Sequence, residues 1–235
     1  MTHHAAFPHD ELVAIGDDVF LVRGSLLLNP LIRISRNMVV LRQGGELVLV
    51  NPIRLGEAGM QALERLGRIR HIVCLGALHG RDDAWYRAQF QVQTWARPGS
   101  RRYPAPPDVT PLDPGRALPV DGAQLFSFAI SQPESALLLE RDGGLLITCD
   151  CLQHYGDYHQ HSPMARLVMP FIGFPKTTVV GPIWLKEMTP PGGSLRGEFE
   201  RLLQWRFDAL IAAHGSHLPR GAHASATAAV HKAFG

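Results

Sequence analysis

Hydrophobic spacing along this chain switches between a period of two and a period of three to four, in the same order in both halves. Asp18 to Arg23 and Asn37 to Arg42 are short β-rich runs, and Gly44-Gly45 joins the second to Glu46–Asn51. Two apolar runs around such a turn predict a hairpin. Pro52 ends it, because proline has no N–H to give a ladder. From Leu55 the apolar residues (Leu55, Ala58, Ala62, Leu63, Leu66) recur at helical steps, and Gly67 closes an amphipathic helix. Arg70 to Leu75 reads as a buried strand, Asp82 to Phe90 as a helix and Val92 to Trp95 as a strand. After a stretch of seven prolines (98–119), strand signals resume at Ala123–Ile130, Ala136–Leu139 and Leu145–Thr148. Ser162 to Pro191 reads as irregular. Leu195–Phe207 then reads as a helix, Ala209–Ala213 as a strand and Ala222–Phe234 as a terminal helix. Strands followed by helices, twice over, indicate an α/β (α+β) layering of two packed sheets with helices outside. The expected organisation is a single domain over 1–235, with residues 1–10 untethered and 98–119 a surface excursion.

Charge narrows the function classes. Basic and acidic residues nearly balance, 23 against 21, with no long run of one sign, so a nucleic-acid footprint is absent. The longest nearly apolar stretch, Ala165 to Phe174, is shorter than the roughly 20 residues that cross a bilayer. No membrane partner is expected, and the N-terminus has no secretory pattern. Three cysteines (Cys74, Cys149, Cys151) without a CxxC fit a reducing cytoplasm. Neither a GxSxG elbow nor a GxxxxGK[ST] loop is present. The partner class that remains is a small-molecule substrate of unspecified identity; the residues set no oligomeric state.

Three apolar runs stop abruptly at a titratable side chain. Ile72-Val-Cys-Leu-Gly-Ala-Leu-His79 continues into Gly80-Arg-Asp82-Asp83, Leu145-Leu-Ile-Thr-Cys ends at Asp150, and Leu210-Ile-Ala-Ala ends at His214-Gly215. A sheet fixes the position of such a residue while the adjoining loop leaves it accessible. Imidazole and carboxylate together suit zinc, iron or manganese. Taken singly, each is more often an ordinary polar residue leaving a sheet. Cys149 and Cys151 flank Asp150, so strand alternation turns both away from its face, as packed thiols. A second group, His154, His159 and His161, shares a Tyr-rich loop that reads first as polar surface. His3, His4 and His9 lie in the N-terminal segment.

With its hairpin at 37–51, His79, Gly143-Gly-Leu-Leu-Ile-Thr-Cys-Asp150 and Ala212-Ala-His214-Gly215, the chain resembles the metallo-β-lactamase-fold superfamily over roughly Asp18 to His217. It looks closest to a divergent, hydrolase-like branch. The resemblance implies a four-layer αβ/βα sandwich: two mixed β-sheets face to face, helices outside. The family's HxHxDH ligand loop is matched here by Ala77-Leu-His79-Gly-Arg-Asp82-Asp83, with Ala77 in place of the first His. Ser131 stands where the family has its middle His, and Asn51 where an early strand usually ends in Asp. Asp150 matches the bridging Asp and His214 the terminal His. The resemblance therefore implies a metal-dependent hydrolase with a reduced, mononuclear site. His79, Asp150 and His214 would be ligands and Asp82 or Asp83 a fourth, with Asp83 and His154 as proton-passing groups. The cofactor would be one divalent transition metal, zinc first, then iron or manganese, or none. The rival reading is a non-catalytic binding or interaction module descended from the same fold.

Overall fold

The computed structural model describes residues 5–235; His3 and His4 lie outside the described residues. The first sheet is built by β1 (Val13–Gly16), β2 (Val19–Asn29), β3 (Ile32–Gln43), β4 (Glu46–Val50), β5 (Arg68–Cys74), β6 (Gln93–Ala96) and β7 (Thr110–Pro111), lying side by side in chain order. Hairpins make β1 to β4 antiparallel. From β4 to β7 the pairs are parallel, which needs crossovers. Helices α1 (Glu57–Leu66) and α2 (Asp83–Gln89) supply the first two. The second sheet contains β8 (Ala123–Ser127), β9 (Ser135–Leu139) and β10 (Leu145–Ile147), with a two-stranded ribbon following: β11 (Leu152–His154) and β12 (Thr178–Val180). Helix α3 (Pro163–Val168) runs into a 3-10 turn at Met169–Ile172, and α4 (Pro182–Met188) and α5 (Arg196–Leu202) come next. Strand β13 (Ala209–Ile211) then joins β10 in parallel, and α6 (Ala222–Phe234) ends the chain.

Strand alternation sorts the side chains into three apolar layers. Val39, Leu41, Val48 and Val50 face Leu137, Leu139, Leu145 and Ile147 between the sheets. Their neighbours Met38, Val40, Leu47 and Leu49 pack outward on Leu63 of α1 and Tyr86 of α2. Leu138, Leu146 and Leu210 pack outward on Trp184, Phe199 and Ala226 of α4, α5 and α6. The order is helix, sheet, sheet, helix, the four-layer mixed α/β sandwich expected from the resemblance. Leu112, inside the proline-rich stretch, and Val120, just beyond it, are buried in the inter-sheet layer, so 98–119 is not wholly a surface excursion.

Four readings of the sequence need correction. Ser162–Pro191 is not irregular: it holds α3, β12 and α4. Its prolines hid the helices, yet Pro163 and Pro182 occupy first turns, where the missing N–H costs nothing. The helix expected over Leu195–Phe207 is confined to Arg196–Leu202. The hairpin strands β2 and β3 run well beyond Arg23 and Asn37, to a tip at Pro30-Leu31, because the backbone ladder continues through Gly24, Ser25 and Ser35. His9 is tied down as well, bridged to Gly24 and accepting the Gly56 N–H at 2.8 Å. No helix among the described residues is long and apolar enough to cross a membrane.

Candidate metal centre

The three strand ends converge at one edge of the sandwich. His79 Nε2 lies 3.2 Å from His214 Nε2 and 3.3 Å from Asp150 Oδ2, and His214 Nε2 lies 3.4 Å from Asp150 Oδ1. Among the described residues this is the one group of His, Cys, Asp or Glu that could hold an ion.

Buried polar groups fix each member. Beyond β5, Gly76 forms an isolated bridge with Glu134, and the His79 N–H donates to the Gly76 carbonyl. A Cβ on Gly76 would meet the Glu134 carboxyl and the Cys149 sulfur, so only glycine fits there. Beyond β10, the N–H groups of Asp150 and Cys151 both donate to Glu134 Oε1 at 2.9 Å. Glu134 is fully buried, and burial, then the Asp150 charge, pushes its carboxyl well above the usual range. Beyond β13, Asn37 Nδ2 donates to the Ala212 and Gly215 carbonyls. Gly215 adopts φ +85°, and its N–H donates to Ser35 Oγ. Asn51, itself at φ +51°, joins two of the three ends by donating to the Thr148 carbonyl and accepting the Leu75 N–H.

Tautomers follow from these contacts. His214 Nδ1 sits 2.6 Å from the Ser35 carbonyl, which can only accept, so Nδ1 carries the proton and the Nε2 lone pair faces His79 and Asp150. Burial lowers the His214 pKa to about 4, leaving the ring neutral at pH 7. Burial pushes Asp150 up, but His79 and His214 outweigh it and hold the carboxyl below its ordinary value. Its Oδ2 is buried without a hydrogen-bond partner. Tetrahedral zinc with bonds near 2.0–2.1 Å has ligand–ligand edges of about 3.3–3.4 Å. The three separations here, 3.2, 3.3 and 3.4 Å, fit that spacing. The donor set, two neutral-capable imidazoles and a carboxylate, fits a divalent transition metal.

Other sequence candidates fall elsewhere. Asp82 is outside the group: its Oδ2 accepts from Arg36 at 2.8 Å and from the Arg54 N–H, which makes it the partner of a buried cation. Asp83 is also outside the group. Its Oδ1 is buried without a hydrogen-bond partner, and it lines a cavity of about 280 Å³ that His79 also lines. Burial, partly offset by Arg36, raises its pKa to about 6. His154 does not face the centre. Side chains alternate on β11, and it is Gln153 that donates to the Asp150 carbonyl, while His154 Nδ1 meets Thr178 Oγ1 at 2.9 Å. His159 pairs with Asp10, and His161 packs against Tyr155 and Tyr158.

Cys149 and Cys151 are packed thiols, with burial pushing both pKa values up. The strand stops at Ile147, however, and the two point into different layers: Cys149 between the sheets, Cys151 under the helices. Sequence reasoning missed Ser35, Arg36, Asn37 and Glu134. The first three had a visible signal, three consecutive polar residues directly before the apolar run Met38–Leu41 of the same strand.

A cleft of about 220 Å³ opens over the centre. Leu28 and Ile34 of the hairpin, Ile172, Phe174 and Ile183 wall it, and Arg81 and Arg102 also line it.

No protein-family model and no curated protein matches the chain. Solved structures do. The metallo-β-lactamase FIM-1 of Pseudomonas aeruginosa, in its mono-zinc form, is 15% identical with a TM-score of 0.64, covering 97% of each chain. A metallo-β-lactamase of Erythrobacter litoralis is 13% identical, TM-score 0.60, over 94% of this chain and 92% of that one. A flavo di-iron protein variant of Thermotoga maritima is 15% identical, TM-score 0.59, over 93% of this chain and 61% of that one. The chain has the metallo-β-lactamase fold.

Proposed function

We propose that the chain is a metal-dependent hydrolase with a mononuclear centre on His79, Asp150 and His214. The observation that carries this reading is the convergence of the three ligand atoms at tetrahedral spacing, with the His214 tautomer set by Ser35. A divalent ion bound there supplies Lewis acidity, bringing the pKa of water to about 7 and polarising a carbonyl or phosphoryl oxygen. Zinc leads by ligand chemistry, with iron and manganese next.

The chain's own groups do the rest. Ser35 and Asn37 keep the His214 imidazole oriented, and Glu134 keeps the Asp150 backbone in place, so no ligand must reorganise when substrate arrives. Asp83, which lines a cavity together with His79 and whose carboxyl is raised by burial in the metal-free chain, would serve as the proton acceptor. The apolar walls of the cleft exclude water from the reacting groups. Arg102 and Arg81 offer positive charge to a substrate. Support also comes from the fold neighbours, one of which was solved with a single zinc.

The test is metal analysis of protein purified without chelator, followed by hydrolysis of ester, thioester, lactone and phosphodiester probes. One equivalent of zinc, iron or manganese per chain, with hydrolysis that chelator abolishes, is expected. No retained metal after dialysis against all three ions would refute the reading in favour of a non-catalytic module. Two equivalents would replace it with a dinuclear hydrolase.

A further inference from the structure

Nine large apolar side chains are exposed among the described residues, and eight of them lie on two segments. Leu27, Leu28 and Leu31 form the tip of the β2–β3 hairpin, and five more lie between Met164 and Ile183. Ser162 holds the segments together: its hydroxyl donates to the Leu31 carbonyl at 2.7 Å and its N–H to the Arg33 carbonyl at 3.0 Å. In α3 and the turn after it, Ala165 and Met169 face inward at i, i+4 and are buried. Met164, Leu167 and Phe171, at i, i+3 and i+7, form the opposite face and are exposed. Helical segments that are apolar on both sides are ordinarily covered on both. Here Phe171 is 84% exposed, Leu31 66% and Leu167 64%.

Charge around this surface is predominantly positive, with Glu187 beside Lys186 on α4 as an exposed acid at its edge. Segments 24–36, 97–107 and 158–186 contain arginines and lysines and no Asp or Glu, although the whole chain is nearly balanced. Arg166, Lys176 and Lys186 are exposed within or next to the apolar face. The face is also continuous with the cleft, since Leu28, Ile172 and Ile183 belong to both. Two copies meeting through this face would set like charges against each other. An anionic surface with an apolar interior is complementary to both features.

We propose that this face docks on the surface of an anionic lipid bilayer. Leu31, Leu167 and Phe171 enter the acyl region and Arg166, Lys176 and Lys186 lie against headgroups, so that the cleft opens toward the lipid. Such a face lies on the membrane without spanning it, and the sequence argument against a spanning helix does not bear on it. The proposal does not rest on the metal reading.

The experiment is flotation of the full chain with vesicles of phosphatidylcholine alone or mixed with phosphatidylglycerol, alongside light scattering of the free protein. Association with the mixed vesicles is expected, at least about tenfold weaker with phosphatidylcholine alone and weakened by salt. Phe171→Glu is expected to weaken it about tenfold or more, through the loss of apolar insertion. Single Arg166→Gln, Lys176→Gln and Lys186→Gln changes should each weaken it about fivefold. Thermal melts should confirm that these exposed substitutions leave the fold intact. His214→Ala, which removes a proposed ligand, should float like the unaltered chain. Absence of flotation, or flotation indifferent to Phe171→Glu, would overturn the proposal. So would a dimer that Phe171→Glu dissociates, which would assign the face to a second copy.

Discussion

At the floor of the cleft, His79, Asp150 and His214 are held by Ser35, Asn37 and Glu134, all buried and hydrogen-bonded. At its mouth, Leu31, Leu167 and Phe171 stand in solvent. Strand β3 takes part in both: it carries Ser35 and Asn37 at the floor and leads from Leu31 at the tip. One element thus changes from a buried, polar-pinned ladder to an exposed apolar finger within a few residues. The difference teaches where precision is required. Ligand atoms must be placed to a fraction of an ångström, which takes buried hydrogen bonds; a surface that adapts to a soft partner needs area and charge sign only.

The largest expected effect lies at the floor. His214→Ala and Asp150→Asn should each reduce bound metal from one equivalent to none, read by elemental analysis. Phe171→Glu should leave metal content unchanged. If the mouth substitution emptied the centre, the two regions would not be separable.

Next in size is Glu134→Ala. It leaves the N–H groups of Asp150 and Cys151 without their acceptor in a buried place, each costing about 1–3 kcal/mol. Urea unfolding should show the loss, and Glu134→Gln, which keeps an acceptor oxygen, should lose less. Equal losses in both would assign the effect to something other than those bonds.

The pH response of the metal-free chain comes third. His214 titrates at about 4 when folded and near 6.5 when unfolded. Between those values the unfolded chain binds the extra proton, so this contribution is complete above pH 6.5 and lost as pH falls to 4, at up to about 1.4 kcal/mol per unit. Asp83 acts with the opposite sign. Raised to about 6, it is protonated first in the folded chain, so stability rises as pH falls from 6 toward 3.8. The two slopes should offset each other in the unaltered chain. Asp83→Asn should therefore expose a steady loss of stability from pH 6.5 to 4, which a further His214→Gln removes. A flat profile for Asp83→Asn would contradict the burial of His214 as the cause of its lowered pKa.

The smallest effect belongs to the mouth. Leu167→Ser and Phe171→Ser should shift unfolding free energy by no more than about 0.5 kcal/mol, as exposed sites do. A loss of several kcal/mol would mean that the finger and α3 are packed and not free.

The fold and the ligands were legible where one local signal coincided with one structural event. His79, Asp150 and His214 each end an apolar run, and the run is the strand that delivers them. Asp82 and Asp83 were adjacent carboxylates with the same local signal; only a residue far away in sequence, Arg36, determines that Asp82 is neutralised, while Asp83 Oδ1 is left without a hydrogen-bond partner. His154 carried the right chemistry on the wrong side of β11, because the period of two that turns Gln153 toward Asp150 turns its neighbour away. Glu134 sits just before β9, in Ser131-Gln-Pro-Glu-Ser135 between two strand signals, and nothing local shows that the β-bridge to Gly76 buries it. The helices at Pro163 and Pro182 were obscured by the residue that begins them.

The most direct test of the His79–Asp150–His214 centre is X-ray absorption at the zinc edge of protein carrying one equivalent of zinc. The expected spectrum has nitrogen and oxygen neighbours at about 2.0–2.2 Å and an imidazole scattering pattern. No sulfur should appear at about 2.3 Å, since Cys149 and Cys151 are buried in apolar layers. A sulfur shell, or oxygen neighbours with no imidazole signal, would contradict it.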